Sequence, residues 1–143
     1  MLGDWLRDPR VMPWWRDAAK QLAGIEEDLR EPAMDQWIAL IEGQPVGYAQ
    51  AYPAHHWRAP HFADLPADTI AIDVFSAPEG FGSGSQWLAA LAKRLLRDAS
   101  VLVIDPAPDN LRAIRAYQKA GFAGEKLLAD ETGQVARVMT RLR

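Results

Sequence analysis

The chain has 143 residues and a mass of 15.9 kDa, is 49% hydrophobic and 24% charged, and contains no cysteine. That length and composition indicate a single soluble domain, residues 1–143, with a core of its own, and exclude disulfides, thiolate zinc sites and cysteine nucleophiles. Sixteen basic against nineteen acidic residues leave a net charge of −3, which argues against a nucleic-acid partner and fits a cationic small molecule. The charged start Met1-Leu-Gly-Asp-Trp-Leu-Arg-Asp lacks the apolar run of a signal peptide, and no stretch is long and apolar enough for a bilayer, so the expected location is the cytoplasm.

In chain order, Trp5 to Arg16 (WLRDPRVMPWWR) is punctuated by Pro9 and Pro13 and carries three tryptophans. From Asp17 to Arg30 the apolar residues Ala18, Leu22, Ile25 and Leu29 recur at helical steps, and Pro32 ends that pattern. Gln36–Ile41 and Val46–Tyr52 flank the turn Glu42-Gly43-Gln44-Pro45 and read as a β-hairpin. Pro53–Asp68, with three prolines and three histidines, has no period and reads as a long functional loop. Thr69–Ser76 (TIAIDVFS) is a strand. Gly80-Phe-Gly82-Ser-Gly84-Ser85 then opens a helix whose apolar face is Trp87, Leu88, Leu91, Leu95 and Leu96. Val101–Ile104 is a buried strand stopped by Asp105-Pro106. A helix capped at Asp109 or Asn110 runs to Gly121, and two strands, Phe122–Leu128 and Gln134–Leu142, flank a turn at Asp130–Gly133. The fold class is mixed α/β with one central strand–helix–strand crossover.

A glycine-rich turn between strand and helix is a phosphate cradle, because its N–H groups and the helix dipole both favour an anion. Two nucleotide versions fail on spacing. The P-loop needs Lys-Ser/Thr after its last glycine, where this chain has Ser85-Gln86, and the dinucleotide fingerprint needs two residues where only Ser83 separates Gly82 from Gly84. The remaining alternative from the loop alone is a plain strand–helix connection. Asp73 is a charge inside an apolar strand, costly unless used. Asp73 and Asp105 both lie near C-terminal strand ends, where α/β ligand sites form; the other reading of Asp105 is a helix-entry cap. His55, His56 and His61 recur at no ligand spacing, so no metal site is expected. The six tryptophans are too scattered to make a nucleic-acid stacking platform.

The tract Asp105–Phe122 (DPAPDNLRAIRAYQKAGF) follows the Gly-loop helix and changes the reading. Asn110, Ala113, Tyr117, Lys119, Gly121 and Phe122 stand at the spacing Asn-x-x-Ala-x-x-x-Tyr-x-Lys-x-Gly-Phe. With the preceding Gly-x-Gly loop, this resembles the GNAT superfamily of N-acetyltransferases. The chain looks most like the aminoglycoside 6'-N-acetyltransferases, through WLRDPRVMPWW, WIALIEGQPVGYAQAY, TIAIDVF and IDPAPDNLRAIRAYQKAGF. The resemblance implies a central, mostly antiparallel sheet, splayed where acyl-CoA binds and flanked by helices. It implies acetyl transfer by direct attack in a ternary complex, with acetyl-CoA as co-substrate, no metal, and a cationic amine such as an aminoglycoside as acceptor, the chain acting as monomer or homodimer.

Residue by residue, the resemblance places the cofactor on Val74, Phe75, Gly80, Phe81, Gly82, Ser83, Gly84, Ser85, Asn110, Ala113 and Tyr117. Main-chain N–H groups of Gly80–Ser85 would hold the pyrophosphate, the strand end Val74-Phe75 would pair with the pantetheine arm, and an N–H there would face the thioester oxygen. Tyr117 would be the acid for the departing thiolate. Asp73 would be the base or amine positioner, Asp105 the ammonium anchor, and Trp14 and Trp15 an aromatic wall for a sugar ring, against a core-packing alternative for the two tryptophans. Two positions depart from the family pattern. Glu79 stands where Gln or Arg is usual before Gly-x-Gly, and the loop before the Asp73 strand, acidic in the aminoglycoside enzymes, here reads His55-His56-Trp57-Arg58-Ala59-Pro60-His61. Other readings are an acetyltransferase for a different amine, such as a polyamine or a peptide N-terminus, and a non-catalytic acyl-CoA-binding module.

Overall fold

The computed structural model describes residues 1–143. Helix α1 (Leu2–Leu6) and a run of turns lead to α2 (Ala18–Asp28), which starts at Asp17, whose carboxylate accepts from Lys20 N–H at 3.2 Å. The hairpin follows as β1 (Asp35–Ile41) and β2 (Gln44–Pro53). Its turn has positive φ at both Glu42 (50°) and Gly43 (78°), the twist that a two-residue hairpin loop requires. Strand β3 (Ile70–Ser76), helix α3 (Gly84–Leu95) and strand β4 (Val101–Ile104) form the crossover, helix α4 (Leu111–Lys119) follows it, and β5 (Ala123–Ala129) and β6 (Val135–Leu142) close the chain.

The sheet order is β1-β2-β3-β4-β6-β5. Every neighbouring pair is antiparallel except β3–β4. Helices α3 and α4 cover one face, over Ile72, Trp87, Leu88, Leu102, Ile104 and Met139. Helices α1 and α2 cover the other through Trp5, Leu6, Val11, Ile25, Tyr48 and Phe75. This is the mixed α/β, mostly antiparallel sheet that the sequence implies, and no helix is long and apolar enough to cross a membrane.

The sheet opens at its centre. Strand β3 pairs with β4 only at Ile70 and Ala71, whereas it pairs with β2 along its whole length. On the β2 side the ladder runs unbroken from Ala54 N–H···O Thr69 to Ala77 N–H···O Val46, both 2.9 Å. Antiparallel pairing alternates, so the odd-numbered residues of β3 spend their backbone groups on β2. Val74 and Ser76 turn theirs toward β4, which has already ended its pairing. A gap lined by unpaired backbone donors and acceptors is thus built into the middle of the sheet.

Two glycines fix the walls beside this gap. A Cβ on Gly80 would stand 1.9 Å from the Val46 carbonyl oxygen, and one on Gly47 would stand 2.5 Å from the Trp87 ring. Both positions let backbone and ring approach where any side chain would collide.

Candidate active site

Two cavities flank the opened strand. The larger, about 530 Å³, is lined by Val74, Phe75 and Ser76 of β3, by Phe81, Gly82, Gly84 and Ser85 of the Gly-loop, and by Asn110, Ala113 and Tyr117 of α4. Of the residues that the sequence assigns to the cofactor, only Gly80 and Ser83 fall outside this lining, and they support it from behind. Gly80 packs on Val46, and Ser83 Oγ donates to Gly80 O at 2.7 Å. Because Ser83 turns back in this way, no side chain caps the first turn of α3. Its free N–H groups point to where Gly82, Gly84 and Ser85 line the cavity, the arrangement an anion requires.

Cations rim the same cavity, from Arg10, Arg112, Arg115 and Lys119, with no carboxylate in its lining. Arg10 lies 3.8 Å over the Phe81 ring and Arg112 5.3 Å from it, while Asp8 holds Arg10 at 3.0 Å. Glu79 is exposed and stands off the lining. Asn110 caps α4, its Oδ1 accepting from Ala113 N–H at 3.3 Å, which leaves its amide NH₂ for the cavity. An acyl-CoA fits these residues: a phosphate end at the uncapped helix among arginines, and an extended arm along unpaired β3 backbone.

The second cavity, about 390 Å³, opens from the other face of the sheet and is acidic. Asp28, Asp73, Asp105, Asp130 and Glu131 line it against Arg58 and His61. Asp73 is held by an oriented chain of side-chain hydrogen bonds. Gln36 Nε2 donates to Ile25 O (2.9 Å) and to the Tyr48 hydroxyl (3.1 Å), Tyr48 donates to Gln50 Oε1 (2.8 Å), and Gln50 Nε2 donates to Asp73 Oδ2 (2.9 Å). Burial, then the Asp105 charge, push the Asp73 carboxyl up to about 7, against the pull of Gln50, Tyr52 and His61. The Asp73 charge and burial in turn push the Tyr52 phenol far up. Burial raises Tyr117 as well, with Asp73 and Asp105 adding to it, so its hydroxyl keeps its proton and sits within electrostatic reach of both carboxylates.

Asp105 caps no helix. Its Oδ2 lies 2.8 Å from His61 Nε2, and Asn110 is the cap of α4. The structure brings Asp73 and Asp105 together in the acidic cavity. It places Trp14 and Trp15 on the larger one, with Trp15 edge-on to Phe75 at 4.8 Å. The aromatic side chains on the acidic cavity are instead Tyr52 and Trp57, whose rings meet edge-on at 5.3 Å, together with Phe62. Sequence reasoning passed over Trp57, Asp130 and Glu131 as site residues. The sheet order would have revealed the last two: β6 runs antiparallel to β4, so the β5–β6 turn overhangs the C-terminal end of β4, where Asp105 stands. Arg137 N–H donates to Pro106 O at 2.9 Å and fixes that overhang.

Residues 1–129 match the family model described as an acetyltransferase (GNAT) domain. The chain is 33% identical over 159 aligned residues to the aminoglycoside N(6')-acetyltransferase type 1 of Klebsiella pneumoniae, an alignment that takes in 99% of this chain and 77% of that protein. Among solved structures, the aminoglycoside acetyltransferase AAC(6')-Ib in complex with paromomycin and acetyl-CoA superposes with a TM-score of 0.83 at 31% identity, over 100% of this chain and 86% of that one. The same enzyme with coenzyme A and kanamycin superposes with a TM-score of 0.82 at 30% identity, over 100% and 88%. A Gly-loop at an uncapped helix, a strand opened beside it and a family match along most of the length agree, and the chain belongs to the GNAT acetyltransferase family.

Proposed function

We propose that this protein transfers the acetyl group of acetyl-CoA to the 6'-amine of an aminoglycoside, by direct attack within a ternary complex. One observation carries the reading. Asp73 and Val74 are consecutive on β3, so their side chains point to opposite faces. Asp73 lines the acidic cavity and Val74 the Gly-loop cavity, and a cationic acceptor and a thioester therefore meet across one peptide unit.

In this reading the acceptor enters as an ammonium drawn by Asp105 and its acidic neighbours, and loses a proton to Asp73. The neutral nitrogen attacks the thioester carbonyl carbon, and the oxygen that becomes negative faces the unpaired Val74 N–H. The C–S bond then breaks, the thiolate takes the hydroxyl proton of Tyr117, and the second proton of the attacking nitrogen passes to the phenolate so formed, leaving a neutral amide and a thiol. Trp57 supplies an aromatic face for a sugar ring, a role the sequence gives to Trp14 and Trp15, which stand beside the cofactor cavity. Residues from both ends of the chain, Arg10 and Glu131, line the two cavities, which supports a single acetyltransferase domain over residues 1–143.

The test is thiol release from acetyl-CoA, with product masses, offered kanamycin, a kanamycin analogue lacking the 6'-amine, and spermidine. Turnover of kanamycin and not of the analogue is the expected result. Turnover of spermidine alone overturns the aminoglycoside reading and redirects it to another amine.

A further inference from the structure

His61 is 6% exposed and its Nδ1 is buried without a hydrogen-bond partner. Packing alone does not explain a histidine there. It sits against Phe62, ring centroids 4.0 Å apart, beside a cluster of Ala71, Val103 and Val138. An aliphatic side chain would fill that place without burying an unpaired polar atom, which costs about 1–3 kcal/mol. The ring's single anchor is Asp105, through Nε2 at 2.8 Å.

We propose that His61 is a positioning residue of the acceptor site, the built-in counter-ion that holds Asp105 and so leaves Asp73 free to take a proton from the incoming amine. The inference rests on the reading of Asp73 as proton acceptor. Two carboxylates converging in one cavity cannot both ionise freely, and one of them ordinarily retains a proton. A cation on Asp105 relieves that conflict.

The charged groups around His61 are mostly acidic. Asp105 comes from the end of β4, Asp130 and Glu131 from the β5–β6 turn, and Asp73 from β3, while Arg58 on its own loop is the opposing charge in the cavity lining. Burial lowers the imidazole, but the hydrogen bond and charge of Asp105, with Glu131 and Asp130 behind it, raise it further. His61 in turn lowers Asp73. The ring therefore belongs to the acid–base balance of the site from the wall of the acceptor cavity, where Asp105 stands between it and Asp73's neighbours in the lining.

The experiment follows the Asp73 carboxyl directly, by ¹³C NMR titration with Asp73→Asn assigning its signal, in the wild type, His61→Gln and His61→Leu. Glutamine can donate to Asp105 without a charge, and leucine can do neither. Both variants are expected to move the Asp73 midpoint to higher pH by about one unit. The acid limb of kcat/KM should follow, about a tenfold loss on the acid side, with KM for acetyl-CoA unchanged. His61→Gln should keep a near-wild-type acceptor KM at high pH, where His61→Leu raises it. An Asp73 midpoint that is unchanged or lower in both variants overturns the proposal, because a merely structural histidine would not move it. If the wild type acetylates no amine, the proposed function fails while the titration still decides the role of His61.

Discussion

Asp73, Tyr117 and Asp105 divide the proposed chemistry by environment. The phenol of Tyr117 is pushed up by burial and two nearby carboxylates, so it is a proton donor throughout the neutral range and contributes no alkaline fall to the rate below about pH 10. Tyr117→Phe is expected to lower kcat by about a hundredfold or more, the usual worth of a positioned acid, with acetyl-CoA affinity retained. Single-turnover rates and a direct coenzyme titration measure the two separately. Asp105→Asn should act chiefly on the acceptor KM, and a fall in kcat alone would make Asp105 a participant in the chemistry. The two aromatic groups separate in the same assay. Trp57→Ala raises KM for the aminoglycoside and leaves acetyl-CoA alone, whereas Trp14→Ala does the reverse, because the two rings line different cavities.

Between elements, the site depends on how closely β2 lets the Gly-loop approach. A methyl group on Gly80 would overlap the Val46 carbonyl, which is tied to the β2–β3 ladder by accepting from Ala77 N–H, so the loop itself would have to shift away. Gly80→Ala is expected to cost about 1–3 kcal/mol and to loosen acetyl-CoA binding, read by urea unfolding and coenzyme titration. Asn110→Ala removes the cap of α4 for about 1 kcal/mol and weakens coenzyme binding as well. The elements themselves were legible in the sequence, since the hairpin, the TIAIDVF strand, the Gly-loop and the helix that begins at Asn110 carry strong local signals. What joins them was less so. Which strands flank β4 is decided by long-range pairing, and with it the arrival of Asp130 and Glu131 at Asp105. Trp57 and His61 lie in a stretch without periodicity, where only tertiary contacts decide which side chain turns inward. Gly80 was legible as a loop glycine, but its reason, a backbone contact with β2, depends on a residue 34 positions earlier (80 − 46).

For the whole molecule, placing charge in the acceptor cavity trades stability for function in a way that pH exposes. Asp73 is raised to about 7 and His61 is raised as well, so the folded state binds protons there more tightly than the unfolded chain does. Each stabilises fully below its unfolded pKa, and that contribution is lost as pH rises through the folded one. For Asp73 the loss spans about pH 4 to 7, at most roughly 1.4 kcal/mol per pH unit. Asp8, Asp68 and Asp130 run the other way. Hydrogen bonds with Arg10, with Ser100, and with Thr132 and Gln134 hold them below the usual value, although burial opposes this. Their stabilisation is present above about pH 4 and is lost as pH falls through their folded values. Unfolding by urea across pH should therefore show greatest stability on the acid side of neutrality and a decline toward pH 8. Asp73→Asn removes a carboxyl that resists ionisation, so it should flatten the decline and leave the variant more stable than wild type at pH 8 while abolishing proton transfer. A cationic aminoglycoside should recover stability in the wild type at pH 8 by pairing with the same carboxylates, and should do so less in Asp73→Asn. Equal stability of the two proteins across this range would mean that the Asp73 carboxylate is solvated well enough to ionise without cost, and would remove the basis for its raised pKa.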